Sequence, residues 1–181
     1  MGLHSVYHQF DLDMTGPLFK GGNLLCTSTR WSKGVLQSGM SSMTDLGNGG
    51  GTEVFMRLHT NQSAKSASLD GTKPAVVFAP KLMQRMDCYC YASDQYGSKV
   101  PGTFNQRISP AQLVKQLAGA YNSGHEVMMH DAVSLSEAEY IVYNYPDQVI
   151  QRLKAAGIKS IGGKPLEKAV ITPEQFKKVT L

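Results

Sequence analysis

A six-residue stretch, GHEVMM at 124–129, constrains the fold more than any other part of the chain. It places Glu126 at the beginning of an apolar strand, with Val127 and Met129 on the opposite face. A short turn and a second β-rich segment, EYIVY at 139–143, follow. A carboxylate in this position must be solvated, paired or functional, because its burial without a partner is strongly unfavourable. The segment therefore predicts two strands with an acidic side chain at a sheet edge, where it either pairs with a lysine or binds a ligand.

Length and composition exclude several classes of protein. The 181 residues suit one domain, which buries about 70% of its unfolded surface. The formal net charge of +4 is too small to indicate a nucleic-acid-binding protein by itself. No apolar run reaches the ~20 residues of a membrane span, and the N-terminus does not resemble a signal peptide. Three cysteines, an odd number, predict no disulfide framework and favour a reducing compartment.

Local patterns predict a single α+β domain over residues 1–181. Residues 1–22 contain several glycines and one proline and are expected to be irregular. Strands are predicted at 24–29, 53–58 and 75–79, and Ser134 with Glu137 predicts a capped single turn. Ser109 and Thr172, each followed by proline and with glutamine three positions on, predict helix starts, and a further helix is predicted at 147–156.

Two segments resemble parts of the bacterial mono-ADP-ribosyltransferase toxins. LCTSTR at 25–30, followed by VLQSG at 35–39, resembles the first strand and helix of the cholera-toxin-like branch. GHEV at 124–127, with its SL continuation at 134–135, resembles the strand that carries the catalytic glutamate in this family.

A third segment lies between them and strengthens the resemblance through its position. RMDCYCY at 85–91, with Asp94, Tyr96 and Gly97, is similar to an aromatic segment of such toxin domains. The three segments together cover residues 24–157. The resemblance implies an ADP-ribosyltransferase-like split β-sheet core with flanking short helices.

The resemblance also implies NAD as co-substrate and a set of site residues. Glu126 would hydrogen-bond a ribose hydroxyl and stabilise positive charge while the nicotinamide–ribose bond breaks. Tyr89 or Tyr91 would stack on the nicotinamide, although each ring could equally be a packed strand residue.

The remaining candidate residues belong to the same implied site. Arg30 would pair with the pyrophosphate, Thr27 is placed in the cofactor-binding set beside it, and Asp94 is a candidate ligand or a turn former. His4 and His8 have a helical metal-ligand spacing but no third ligand, so we predict no metal site.

Three departures from the family pattern restrict which acceptor the enzyme could modify. Cys26 occupies the position of the first-motif arginine, and a clear Ser-Thr-Ser motif is missing. Gly124 lies two positions before the glutamate, where arginine-modifying members carry Glu or Gln. These departures argue against an arginine acceptor and leave another acceptor or NAD hydrolysis.

Glu139 is the rival carboxylate. Its segment, EYIVY at 139–143, resembles the poly-ADP-ribose polymerase strand that carries a catalytic glutamate. Those polymerases also need a histidine in the first strand and a tyrosine in the second. With 24–29 taken as the first strand, no histidine is present, so the sequence places Glu126 ahead of Glu139.

The expected function is that of an NAD-dependent mono-ADP-ribosyltransferase, acting as a bacterial toxin or effector on a macromolecular acceptor, with a protein favoured. A cognate immunity or chaperone protein is an expected partner. We expect delivery into a target cell without a cleavable signal peptide and action in the cytoplasm. Two alternatives remain: a non-catalytic interaction domain on the same fold, suggested by Cys26, and a nuclease-type toxin that uses His125 with Glu126.

Overall fold

The computed structural model describes residues 3–34, 47, 50–60, 69–94 and 106–179. In chain order its strands are β1 (Leu3–Gln9), β2 (Asn23–Leu25), β3 (Glu53–Thr60), β4 (Ala75–Phe78), β5 (Tyr89–Tyr91), β6 (Glu126–His130), β7 (Ala132–Ser134), β8 (Ala138–Val142), β9 (Ser160–Ile161), β10 (Lys164–Pro165) and β11 (Val170–Ile171). Its α-helices are α1 (Thr15–Leu18), α2 (Thr27–Ser32), α3 (Pro110–Gly119), α4 (Pro146–Ala155), α5 (Leu166–Ala169) and α6 (Pro173–Phe176).

A mixed sheet is the framework of the fold. Within the described residues, seven strands pair in the order β11-β8-β4-β1-β3-β6-β5. The β11–β8 pair is parallel and the other neighbours in this sheet are antiparallel. β1 therefore lies in the middle, between β4 and β3. The pairs β2–β7 and β9–β10 form two smaller sheets.

The large sheet divides beside the end of β1. The ladder between β1 and β3 ends at the pair Tyr7 and Arg57, whereas β1 stays paired with β4 as far as Gln9 and Ala75. One half of the sheet then continues with β4, β8 and β11, and the other with β3, β6 and β5. This arrangement is an α+β fold with the split sheet that the sequence predicted.

The two sides of the sheet bury different clusters. The larger core contains alternate residues of the strands, such as Val6, Leu58 and Val127, packed against helix residues such as Leu113 and Leu153. All of these side chains are fully buried, and each such burial contributes about 1.5–3 kcal/mol. Two smaller clusters cover the opposite side, one around Tyr7, Val77 and Phe176 and the other around Tyr91 and Met128.

The prediction that residues 1–22 are irregular was wrong. Leu3–Gln9 is the central strand of the sheet, and Thr15–Leu18 forms a helical turn. In this segment, polar residues such as Ser5 and His8 do not alternate regularly with apolar ones. The local pattern therefore does not indicate a strand. Ladders with β3 and β4 on both sides stabilise it nevertheless.

The predicted strand 24–29 is also only partly correct. The strand ends at Leu25, and helix α2 begins at Thr27, directly after Cys26 in an extended conformation. The predicted core boundaries of 24–157 are too narrow, because the sheet begins at Leu3 and includes β11 at 170–171. The 35–39 segment, together with Tyr96 and Gly97, lies outside the described residues.

Other local predictions hold. The strands at 53–58 and 75–79 are β3 and β4, within two residues of the predicted bounds. Ser109 and Thr172 form complete capping boxes with Gln112 and Gln175. Ser134 is different: it ends β7, and its hydroxyl accepts from the Ser136 N–H instead of capping a helix towards Glu137.

Candidate active site

Glu126 begins β6 and is paired in register with Tyr91 of β5. Its neighbours Val127 and Met129 belong to the large core, so the Glu126 side chain lies on the opposite side of the sheet, with Met128. Glu126 is only 8% exposed. It is thus a nearly buried carboxylate on the tyrosine side of the sheet.

The tyrosines predicted to stack on nicotinamide are packed against protein groups. Tyr91 is 1% exposed, and its ring lies edge-to-face with Tyr89, with 5.8 Å between the centroids. The Arg107 guanidinium covers the Tyr89 ring at 4.0 Å and donates from Nε to the Tyr91 hydroxyl at 3.4 Å. In this arrangement Tyr91 presents no accessible ring face to a ligand, and Arg107 occupies one face of Tyr89.

Thr27 and Arg30 lie on the other side of the sheet. Both belong to α2, which follows Cys26 of the large core. Arg30 Nη2 donates to Thr27 Oγ1 at 3.1 Å, and the Arg30 charge acts on His8. The structure therefore brings Glu126, Tyr89 and Tyr91 together, and separately Thr27 and Arg30, instead of gathering all five.

Asp94 follows β5 and lies beside the segment that precedes β6. A Cβ placed on Gly124 would be 3.5 Å from the Asp94 nitrogen and 3.7 Å from its Cβ. Asp94 is therefore close to the segment that leads into the Glu126 strand.

His8 is a candidate that the sequence reasoning missed, because its strand was taken as irregular. It lies where β1 and β3 separate, and its Nδ1 is 2.5 Å from the Phe55 carbonyl oxygen. Burial, with a smaller contribution from the nearby Arg30 charge, lowers the pKa of His8 to about 4. A neutral His8 that donates from Nδ1 keeps Nε2 as an acceptor, which suits a sugar hydroxyl.

Glu139 lies in the same half of the sheet as His8. Its strand, β8, pairs with β4, which pairs with β1. The β4–β8 register shifts between Val77, opposite Tyr140, and Phe78, opposite Ala138, so that Glu139 is the extra residue of a β-bulge. Its side chain is 29% exposed and forms an ion pair with Lys164. Glu139 is therefore more accessible to a ligand than Glu126.

The geometry of His125 excludes the nuclease alternative in its proposed form. His125 is fully buried, and Nε2 accepts from the Leu58 N–H at 2.8 Å while Nδ1 lies 2.6 Å from the Asn122 carbonyl oxygen. Both ring nitrogens thus hold the backbone, and burial lowers the pKa of His125. A ring with this role cannot exchange protons with a substrate.

Another buried carboxylate, Glu53, begins β3. It is paired in register with His130, and Glu53 Oε1 is 3.2 Å from His130 Nδ1. Within the described residues, Glu53 Oε2 is buried and has no hydrogen-bond partner. The same part of the chain contains no group of three or more His, Cys, Asp or Glu side chains that could hold a metal ion.

Comparison with solved structures identifies the fold. DarT from Thermus sp. 2.9 in complex with NAD+ has a TM-score of 0.58, 9% identity, and coverage of 97% of this chain and 98% of that chain. The chain has the DarT fold. The complex of the same protein with ADP-ribosylated ssDNA has a TM-score of 0.55, 10% identity, and coverage of 96% and 95%.

A third structure, Thermosipho africanus DarTG in complex with ADP-ribose, has a TM-score of 0.57 and 10% identity. It is matched over 96% of this chain but only 50% of its own length. No protein-family model and no curated protein matches the chain. The ADP-ribosyltransferase-like fold is thus confirmed, whereas the cholera-toxin-like branch is not. Among the described residues, no helix is both long and apolar enough to cross a membrane.

Proposed function

We propose that this protein is an NAD-dependent ADP-ribosyltransferase of the bacterial toxin or effector type. The observation that carries the proposal is the match of nearly the whole chain to DarT structures that hold NAD+ and ADP-ribosylated ssDNA. The sequence resemblance to mono-ADP-ribosyltransferases indicates the same class of enzyme, although it implies Glu126 and not Glu139 as the catalytic carboxylate.

We assign the catalytic carboxylate to Glu139. The sequence objection to Glu139 was that the first strand lacked a histidine, and this objection no longer holds because β1 carries His8. Glu139 also shares a half-sheet with β1 and is partly exposed, whereas Glu126 is nearly buried beside Tyr91. The assignment of Glu126 stays a prediction that the same experiment tests.

In the proposed reaction, the bond between nicotinamide and the ribose C1 breaks and a new bond forms between C1 and the acceptor. Nicotinamide leaves with the bonding electrons, and the acceptor proton passes to solvent. Glu139 accepts a hydrogen bond from a ribose hydroxyl and stabilises the positive charge that develops on the sugar. Neutral His8 accepts from a second hydroxyl, and Arg30 on α2 pairs with the pyrophosphate.

We propose single-stranded DNA as the acceptor to test first. A protein was favoured by the sequence resemblance, but the matched DarT complex contains ADP-ribosylated ssDNA. The net charge of +4 is compatible with either acceptor. An immunity or chaperone partner, and delivery to a target cytoplasm, stay predictions.

The test measures nicotinamide release from NAD by the native protein, Glu139→Gln and Glu126→Gln, with and without single-stranded DNA. We expect Glu139→Gln to lower the rate by on the order of 100–1,000-fold, as expected for loss of a charge-stabilising group. Circular dichroism of each variant checks that the fold is retained. Loss of activity in Glu126→Gln alone would return the catalytic role to Glu126.

The alternative of a non-catalytic domain keeps one supporting observation, the Cys26 departure from the first motif. In the structure the Cys26 thiol lies 3.3 Å from Thr29 Oγ1 and 3.8 Å from Asp131 Oδ1. Calorimetric titration with NAD discriminates, because a non-catalytic cleft that has lost its site gives no binding heat at millimolar ligand.

A further inference from the structure

We infer that the β9–β10 hairpin, residues 160–165, is a positioning element that holds the Glu139 carboxylate in its catalytic orientation. The inference rests on the proposed function, since it concerns the same carboxylate. It adds Lys164 and Gly162, which neither the sequence resemblance nor the fold comparison identifies. Neither residue needs to touch the substrate, because both act on Glu139 and the segment before it.

The first observation concerns the backbone at Glu139. As the extra residue of a β-bulge, Glu139 falls between two positions that are paired with β4. Bulges re-aim a side chain and interrupt the ladder that would otherwise fix it. The ladder with β4 therefore does not by itself fix the direction of this carboxylate, and contacts from another element can do so.

Lys164 of β10 supplies those contacts. Its ammonium donates to Glu139 Oε2 at 3.1 Å and to the Glu139 carbonyl oxygen at 3.1 Å. It also lies 3.9 Å from the centroid of the Tyr140 ring, a cation–π contact. One cation thus fixes both the backbone and the side chain of the bulged residue. The Lys164 and Glu139 side chains are 31% and 29% exposed, so water competes only partly for this pair.

Gly162, at the tip of the hairpin, secures the segment before Glu139. Its N–H donates to the Leu135 carbonyl oxygen at 2.9 Å. Its φ is +55°, and a Cβ at this position would overlap the Ala138 carbonyl oxygen. Only glycine allows the hairpin to approach the bulge this closely.

Gly163 provides a matched control for this approach. Its φ is +74°, so an alanine there meets the same kind of backbone strain, but a Cβ would have no heavy atom within 4 Å. The two alanine variants therefore differ in whether the hairpin can still contact Ala138, while sharing the cost of a left-handed backbone.

These contacts explain how Glu139 can be both accessible and fixed. Lys164 binds Oε2, and we assign Oε1 to the ribose hydroxyl. A carboxylate that interacts mainly with the developing charge affects kcat more than KM. A shift of about 1 Å in such a group can cost on the order of 100-fold in rate.

The experiment compares steady-state NAD turnover by the native protein with Lys164→Met, Lys164→Arg, Gly162→Ala and Gly163→Ala. We expect Lys164→Met and Gly162→Ala to lower kcat by on the order of 10–100-fold with the KM for NAD nearly unchanged. Lys164→Arg should recover part of the loss, because it keeps the charge and its donors. Gly163→Ala should retain the native kcat.

Lys154→Met is a further control, because it removes a lysine whose ion pair, with Glu167 at 2.7 Å, is exposed and does not include Glu139. Thermal unfolding of every variant identifies changes in stability. If Gly162→Ala does not fold, the comparison of the native protein with Lys164→Met and Lys164→Arg decides whether the hairpin positions Glu139.

Native kcat in Lys164→Met would overturn the positioning role while leaving the proposed function intact. A rise of KM by on the order of 10–100-fold without a change of kcat would also overturn it, because such a result would assign the hairpin to NAD binding. Absence of nicotinamide release by the native protein would overturn the proposed function, and the hairpin's role with it.

Discussion

At the scale of single residues, His125 is the clearest structural group. Its ring accepts from the Leu58 N–H, is within hydrogen-bond distance of the Asn122 carbonyl oxygen, and packs edge-to-face against Tyr121. His125→Phe keeps the ring contact but leaves the buried Leu58 N–H without its acceptor. We expect the free energy of unfolding to fall by about 1–3 kcal/mol.

Urea unfolding followed by circular dichroism measures this loss. Met86→Ala is the control, because Met86 is fully exposed and its truncation should leave stability unchanged. Unchanged stability in His125→Phe would mean that the ring nitrogens do not support the backbone. The sequence suggested an acid–base pair of His125 with Glu126, but it could not show that both ring nitrogens contact the backbone instead.

The sequence identified some of the candidate site residues and missed others, for a physical reason. The sequence identified both carboxylates, because each lies at the beginning of an apolar strand. It could not show that Thr27 and Arg30 lie across the sheet from Glu126, since the side on which a residue lies depends on the correct strand assignment. His8 was missed for the same reason.

At the scale of elements, β1 is the most consequential strand. Val6 is fully buried and is paired with Leu58 on one side and with Phe78 on the other. We expect Val6→Pro to abolish cooperative folding, because proline removes a ladder hydrogen bond and is not tolerated inside a sheet. Val6→Ile should fold, since it keeps an apolar β-branched side chain.

Circular dichroism and thermal unfolding of the two variants test the role of this strand. A native melting transition in Val6→Pro would indicate that residues 3–9 are peripheral, as the sequence suggested.

The helix starts, in contrast to β1, were predictable from the sequence. The starts at Ser109 and Thr172 depend on residues within four positions, so the sequence contains the whole signal. The pairing partners that define β1 lie 50–72 positions away, in β3 and β4.

At the scale of the whole molecule, the two histidines predict how stability depends on pH. His8 and His125 both have pKa values lowered by burial, to about 4 for His8. The unfolded chain therefore binds more protons than the folded protein below about pH 6.5. Stability should be fully present above that pH and decrease as the pH falls towards the folded pKa values.

We expect the free energy of unfolding to decrease between pH 7 and pH 5, with His8 approaching about 1.4 kcal/mol per pH unit and His125 adding to the decrease. The carboxyl groups of Asp87 and Glu167 contribute little in this window, because their pKa values are lowered below the usual range. Urea titrations at several pH values measure the slope, and His125→Phe should make it shallower. A flat profile would show that neither histidine is held neutral by the fold.

The overall fold was predictable as a class but not in its layout. The local patterns predicted an α+β domain, and the resemblance to ADP-ribosyltransferases implied a split sheet. The match to DarT over nearly the whole chain agrees with both. The order of strands depends on contacts between distant segments, such as β1 with β3, which no local pattern contains.

The proposed ADP-ribosyltransferase activity is tested most directly by measuring nicotinamide release from NAD by the native protein, with mass spectrometry of single-stranded DNA from the same reaction. We expect nicotinamide release together with DNA that carries ADP-ribose, and loss of both with Glu139→Gln. Intact NAD after prolonged incubation with the folded native protein, with and without DNA or a cell extract as the source of acceptors, would contradict the proposed activity.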